Sequence, residues 1–222
     1  MKLDYKKDPK KFFDYYHSKY DNENDLINPE WPLYQTRYHY NLVENAIIDS
    51  IRQIYGEKPE DLSVLDIGPG TGHWIDFYKG VYGFSVDAIE FSNVAAERLA
   101  SKYDDVSIFH MDVVDHNPNL VAKYDVINAI GVMFHIIDDT KWGQAVKNLL
   151  TYLKDGGILI VGGDFRYTRT ISHHRRVRDI RLWQGVVPLN GGSLVKSFMF
   201  DWFAGTTADK LRDNVAVFIK GI

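Results

Sequence analysis

The chain of 222 residues contains no cysteine. That removes disulfides, thiolate metal sites, iron–sulfur clusters and every mechanism through a cysteine nucleophile, base methylation through a covalent cysteine adduct included. No apolar run reaches the roughly 18 residues that a membrane-spanning helix needs. The start, MKLDYKKDPKKFFDYY, mixes acids with bases and has no apolar stretch, so it does not read as a signal peptide and the cytoplasm is the expected location. A basic excess is missing too. Lys and Arg number 26 against 30 Asp and Glu, a net charge of -4, which removes a global field for nucleic acid and leaves only a local patch open. Internal repeats and low-complexity segments are also absent.

What is present suits a globular α/β protein. Hydrophobic residues make up 45% and charged residues 25%, and the length fits one domain with a modest attachment. Aromatics reach 14%, led by 14 Tyr and 12 Phe; such rings fill a core or line a small-molecule pocket. Up to about Tyr55 the chain reads as helical, with Leu42, Val43, Ala46, Ile47, Ile51 and Ile54 forming one apolar stripe after a bend at Asn28–Pro32. From Leu62 strands and helices alternate. Strands are expected at Leu62–Ile67, Phe84–Ile89, Val106–Phe109, Tyr124–Ile130 and Ile158–Val161. Helices are expected from Trp74, after a Ser92 cap, and over Thr140–Leu153. This alternation predicts a parallel sheet covered on both faces. Residues 164–192 carry few core signals and many arginines, and Ser193–Phe203 with Val215–Ile219 predict a closing hairpin.

The sharpest local feature is Val64-Leu65-Asp66-Ile67-Gly68-Pro69-Gly70-Thr71-Gly72, an apolar strand ending in an acid and a glycine turn. Open α/β sheets bind ligands at this place, and glycine lets backbone approach them closely. A dinucleotide fingerprint fails because its third glycine is His73, and a P-loop fails because its lysine would fall on Trp74 or Asp76. Asp66 would repel a phosphate and suits a ligand with an ammonium or other positive group. Glu90 ends the second strand, where an acid accepts two ribose hydroxyls. Asp112 follows the third strand, placed to accept from an exocyclic amine.

With these residues the chain resembles the class I S-adenosylmethionine-dependent methyltransferases. The resemblance runs through VLDIGPGTG (64–72), IEFS (89–92), HMDV (110–113), YDVINAIGVMFHI (124–136) and LLTYLKDGGILIV (149–161), in order over residues 60–163. It implies a Rossmann-like, seven-stranded, mostly parallel sheet with helices on both faces, an antiparallel C-terminal hairpin and an N-terminal helical lid. It implies S-adenosyl-L-methionine as cofactor and S-adenosyl-L-homocysteine as product. Asp66, Gly68, Gly70 and Gly72 would hold the methionine portion and Glu90 the ribose diol. Asp112 would take the adenine amine, with the Val113 backbone beside the ring, and Asn128 would line the methionine side. The whole chain is then one methyltransferase domain: lid 1–58, cofactor core 59–163, substrate-side insertion 164–193 and hairpin 194–222.

The acceptor end is less defined. His135, after the fourth strand, is the candidate general base, with an ordinary pKa near 6.5; a role in pocket shape alone is the alternative. Asn128 is followed by Ala129-Ile130-Gly131 rather than by the Pro-Pro-aromatic run used for planar nitrogens, which argues against DNA-adenine and glutamine methylation. Asp138-Asp139 reads as a helix start rather than a metal site, and no metal is expected. Residues 164–181 hold six Arg against two Asp. Arg175, Arg176 and Arg178 are candidates for an anionic acceptor bearing carboxylate or phosphate; a solvated helix face with surface salt bridges is the plainer reading. Tyr16, Tyr20, Arg37 and His39 are the N-terminal pocket candidates. The expected activity is O- or N-methylation of a small, anionic molecule. The alternatives are a macromolecular RNA or protein methyltransferase and a non-catalytic protein that binds the same cofactor.

Overall fold

The computed structural model describes residues 5–22, 31–201 and 211–221. Its helices are α1 (Pro9–Lys19), α2 (Leu33–Tyr55), α3 (His73–Tyr82), α4 (Asn93–Lys102), α5 (Asp139–Tyr152) and α6 (Ile180–Val186). Its strands are β1 (Ser63–Ile67), β2 (Ser85–Glu90), β3 (Ile108–His110), β4 (Tyr124–Ala129), β5 (Leu153–Gly162), β6 (Arg169–Ser172), β7 (Arg175–Val177), β8 (Gly192–Asp201) and β9 (Leu211–Lys220). Seven strands form one sheet in the order β3-β2-β1-β4-β5-β9-β8, and β6 pairs with β7 apart from it. The first five sheet strands are parallel; β9 runs antiparallel to both β5 and β8. This is the Rossmann-like, seven-stranded, mostly parallel sheet with an antiparallel C-terminal pair expected from the sequence.

Period-two alternation splits the strands between two cores. Leu65, Ile67, Ile127, Ala129, Leu159 and Val161 face α5, with Trp142, Val146 and Leu149 packed on them. Val64, Val86, Val126, Ile158 and Ile160 face the opposite way, under Ile47 and Ile51 of α2 and Ile75 and Tyr78 of α3. Strand order reverses around β1, whose neighbours β2 and β4 carry the chain away on opposite sides, so a crevice opens at their carboxyl ends. Among the described residues no helix is long and apolar enough to cross a membrane.

Three expectations are corrected. β5 is ten residues long, because Leu153 already pairs with Tyr124 and the Asp155-Gly156-Gly157 turn is taken up as a register shift inside the strand. β3 begins at Ile108 rather than Val106. Residues 164–192 do contribute to the core: Phe165, Val177, Trp183 and Val187 are buried, with Trp183 edge-on to Trp142 and stacked on Phe218. Their spacing follows neither period because they come from loop, strand and helix in turn. Part of the expected bend, residues 28–30, and the strand end at Phe203 lie outside the described residues.

One buried amide fixes the loop that carries Asp112 and Val113. Asn148, on α5 and 1% exposed, donates from Nδ2 to the Val113 and Val114 carbonyls at 3.0 and 2.8 Å. Asn148→Ala strands both acceptors in a dry place and is expected to cost about 2 kcal/mol, measured as a lower urea midpoint at unchanged m-value.

Candidate functional site

A cavity of ≈ 750 Å³ opens at the carboxyl ends of β1, β2 and β4, within the size range of sites that enclose a small molecule. Its floor is the turn after β1. Gly68, Gly70 and Gly72 have φ of +62°, +61° and +94°, the left-handed region. A Cβ on Gly68 would lie 2.7 Å from Val132 Cγ2, and one on Gly72 would collide with the Tyr103 hydroxyl. The turn is held by Gly68 N–H to the Ile89 carbonyl and Gly72 N–H to the Pro69 carbonyl, both at 2.8 Å. Gly68 and Gly70 reach the cavity wall; Gly72 closes the turn behind it.

Two buried acids stand at the ends of adjacent strands. Asp66 lies opposite Asn128 in the β1–β4 register and accepts Asn128 Nδ2 at 2.7 Å. Asp66 Oδ2 and Asn128 Oδ1 are buried with no partner. Both residues lie beneath the cavity wall rather than on it. Glu90 is on the wall and 4% exposed. Its Oε1 accepts the Ser92 N–H at 2.7 Å, and its Oε2 has only a long bond, 3.4 Å, from the Gly70 N–H. Burial pushes the Asp66 carboxyl up to about 8, against the Asn128 bond, with the Glu90 charge adding to the rise. Burial pushes Glu90 up to about 7, opposed by the backbone N–H groups of Ser92 and Gly70. Asp112 and Val113 line the cavity from the loop after β3; Asp112 accepts the Val114 N–H at 3.0 Å, and burial raises its carboxyl as well.

This donor set fits the cofactor that the sequence resemblance implies. The half-used carboxylate of Glu90, on the cavity wall, is an acceptor placed for a donor, while the unpartnered oxygens of Asp66 and Asn128 lie beneath that wall. A nucleoside diol and an ammonium supply donors; a phosphate supplies none. Among the described residues no group of His, Asp and Glu is arranged to hold a metal ion.

The opposite wall is built from rings. His135 lies on it, with Nδ1 3.0 Å from the His174 carbonyl. That acceptor assigns the proton to Nδ1 and leaves Nε2 as a bare acceptor. Burial drives His135 down to about 3, with His174 and Arg175 adding to the fall and the carbonyl bond opposing it. Phe13 meets the His135 ring edge-on at 5.1 Å, Phe12 lies 5.1 Å from His174, and the Tyr5 hydroxyl donates to the His135 carbonyl. At the other end of the cavity, His73 stacks on Tyr40 at 3.6 Å and bonds Glu44 Oε1 at 3.0 Å. Phe13, Tyr40, His73 and His174 were not singled out from the sequence. His73 follows the glycine turn directly, Phe13 and Tyr40 fall in the aromatic-dense stretches 12–17 and 34–41, and His174 falls in the arginine segment, which were the available signals.

Of the N-terminal candidates, Tyr16 and His39 line the cavity, whereas Tyr20 packs on Tyr16 outside it and Arg37 is exposed away from it. The arginine segment is a hairpin, not a helix face, and five of its six guanidinium groups meet acids. Arg166 and Arg169 pair with Asp164, Arg176 and Arg178 with Asp139, and Arg181 with Asp179. Arg178 is 3% exposed, lies over the Trp142 ring and also donates to the Ile136 carbonyl. Arg176 and Arg178 are therefore corrected from acceptor contacts to ties between the hairpin and the start of α5. Arg175 lines the cavity, its guanidinium 5.0 Å over the Phe134 ring.

Residues 38–195 match the family model described as a methyltransferase domain. No curated protein sequence matches the chain. Among solved structures the fold is similar to 1,6-didemethyltoxoflavin-N1-methyltransferase from Burkholderia thailandensis with bound 1,6-didemethyltoxoflavin and S-adenosylhomocysteine, at a TM-score of 0.68 and 16% identity over 100% of this chain and 92% of that one. It is similar to magnesium protoporphyrin IX methyltransferase from Synechocystis with bound S-adenosylmethionine, at 0.66 and 14% over 99% of each chain. It is also similar to an N-methyltransferase from Bradyrhizobium japonicum in complex with S-adenosylhomocysteine, at 0.65 and 16% over 95% and 97%. At such identities the likeness is one of fold.

Asp139→Ala leaves the buried Arg178 guanidinium without its counter-ion. Asp139 itself is more than half exposed, so the expected loss is about 2 kcal/mol, below the roughly 3–5 kcal/mol for breaking a fully buried pair, and is read from thermal melts. In NMR titrations, His17, His39, His135 and His174 are expected to stay neutral down to about pH 5, since burial lowers each of them to about 4 or about 3. His135 is expected to show the Nδ1–H tautomer throughout.

Proposed function

The chain belongs to the methyltransferase-domain family, and on that premise we propose that it transfers a methyl group from S-adenosylmethionine to an oxygen or nitrogen of a small acceptor. The observation that carries this reading is the half-satisfied Glu90 carboxylate under the glycine turn, with Asp112 on the next loop of the same wall. The whole chain then acts as one catalytic domain, with 1–58 as lid, 59–163 holding the cofactor, 164–193 facing the acceptor and 194–222 closing the sheet.

When bound, the cofactor supplies a methyl group already activated on a sulfonium. The remaining task is alignment and exclusion of water. Glu90 takes the ribose hydroxyls, Asp112 and the Val113 backbone take the base, and Asp66 with Asn128 supports the turn that receives the amino-acid end. Phe12, Phe13, Tyr16 and His174 dry the acceptor end. His135 offers Nε2 to an acceptor O–H or N–H. With its pKa held so low it orients that proton and takes it only as the new bond to carbon forms. Arg175, on the cavity wall, is placed to meet an anionic group on the acceptor. A chamber walled by α1 and the β6–β7 hairpin supports a small acceptor over RNA or protein.

S-adenosylhomocysteine is expected to bind with proton release. Free Glu90 holds its proton to about pH 7. Two hydroxyl donors favour the carboxylate, so binding lowers that pKa and expels the proton. Release therefore approaches about one proton near pH 6 and fades towards about pH 9, measured by calorimetry in buffers of different ionisation heat. Glu90→Gln is expected to weaken binding by about 1–3 kcal/mol and to reduce the release. NAD is expected not to compete; tighter binding of NAD would overturn the reading of the turn.

A further inference from the structure

α1 is 11 residues long, too short to persist as a helix in water by itself. Its state depends on what it docks against, and its docking face is marked by two residues three apart. Asp14 Oδ1 accepts the Ser92 hydroxyl at 2.8 Å and the Asn93 N–H at 2.7 Å. The His17 carbonyl, one of those a helix leaves open at its end, accepts Arg98 Nη2 at 2.9 Å. Asp14 thus sits against the head of α4, where the partial positive charge of the first turn favours a carboxylate. Phe13, beside Asp14 in the chain, meets Phe91 edge-on at 6.3 Å.

Ser92 joins this contact to the ribose end of the cavity. Its hydroxyl caps α4 by accepting the Ala95 N–H at 3.3 Å while donating to Asp14. Its own N–H donates to Glu90 Oε1. One residue therefore receives the lid on its side chain and holds the ribose acid with its backbone. We propose that Asp14 is a positioning residue: by docking α1 on the head of α4 it holds Ser92, and through the Ser92 N–H it holds the Glu90 carboxylate in the orientation that receives a nucleoside diol. This rests on the reading of Glu90 given above. It makes lid docking and ribose binding one equilibrium, in which a docked α1 preorganises Glu90 and a bound nucleoside keeps α1 docked.

A double-mutant cycle on the full chain tests it, with S-adenosylhomocysteine as the probe, calorimetry for affinity and hydrogen exchange over residues 9–19 for the state of α1. Asp14→Ala is expected to weaken binding about tenfold and to raise exchange in α1. In the Glu90→Gln background the same change is expected to cost less than about twofold, because the group through which Asp14 acts has been altered. Asp14→Asn keeps an oxygen for the Asn93 N–H and is expected to fall between, which separates a lost contact from a misfolded chain. An equal loss in both backgrounds, or none in either, overturns the proposal; if Glu90→Gln alone still weakens binding, the reading of Glu90 survives. Absence of binding by the wild type, or no effect of Glu90→Gln, overturns that reading and this proposal together.

Discussion

Two carboxyl groups buried side by side at the open end of a parallel sheet are the constraint to which the rest of the site answers. Asp66 and Glu90 stand near the ends of adjacent strands, Asp66 fully buried and Glu90 almost so. An ionised carboxylate in such a place is strongly disfavoured unless hydrogen-bonded and partnered. The protein supplies too little: one amide to Asp66, one short and one long backbone bond to Glu90. Both acids therefore hold their protons into the neutral range. The missing donors define the ligand by chemistry. The open acceptor on the cavity wall, Glu90 Oε2, suits a hydroxyl donor under the proposed function.

The acceptor end is governed by its histidines, which are kept uncharged beside a charged arginine. His135 and His174 are held neutral by burial and by nearby positive groups, so they act as rings and hydrogen-bond partners rather than as cations. The hairpin that carries His174 is anchored elsewhere. Asp139, at the first position of α5, grips Arg176 and Arg178, and Arg178 lies over Trp142 on the same helix. With that anchor in the core, the next residue towards the turn, Arg175, is left to face the cavity. An ion network that looks like substrate recognition in the sequence thus serves to aim a single side chain.

Legibility followed the range of the interactions. The glycine turn, Asp66, Glu90 and Asp112 were readable because each sits within a few residues of a strand end, and a strand end is a local pattern. The strands of the sheet were readable for the same reason, to within a residue or two except in β5 and β9, the latter beginning four residues before the expected Val215. The extended β5 was missed because its first residues pair across a bulge, which depends on β4 and not on β5. Arg176 and Arg178 were carried as acceptor candidates, beside the salt-bridge reading, because their partner, Asp139, precedes them by more than thirty residues and has no signature beyond starting a helix. Trp183 and Phe165 were missed as core for a related cause: Trp183 packs on Trp142 and Phe218 and Phe165 on Trp183, from a segment of loop and short elements with no single period.

The ring cluster shows why the acceptor end resists a motif. His135 comes from the loop after β4, His174 from the β6–β7 turn, and Phe12 and Phe13 from α1 near the start of the chain. They meet only because α1 docks on α4 and the hairpin docks on α5. Neither docking depends on the parallel sheet, whose two cores are complete without these rings. A ring on α1 or the hairpin can therefore change in size or polarity without disturbing a strand. The acids at the strand ends have no such freedom, because moving either one disturbs the register on which the turn is built. The two ends of one cavity are thus under different physical constraints: strand ends place Glu90, and surface elements added to the fold shape the chamber opposite it.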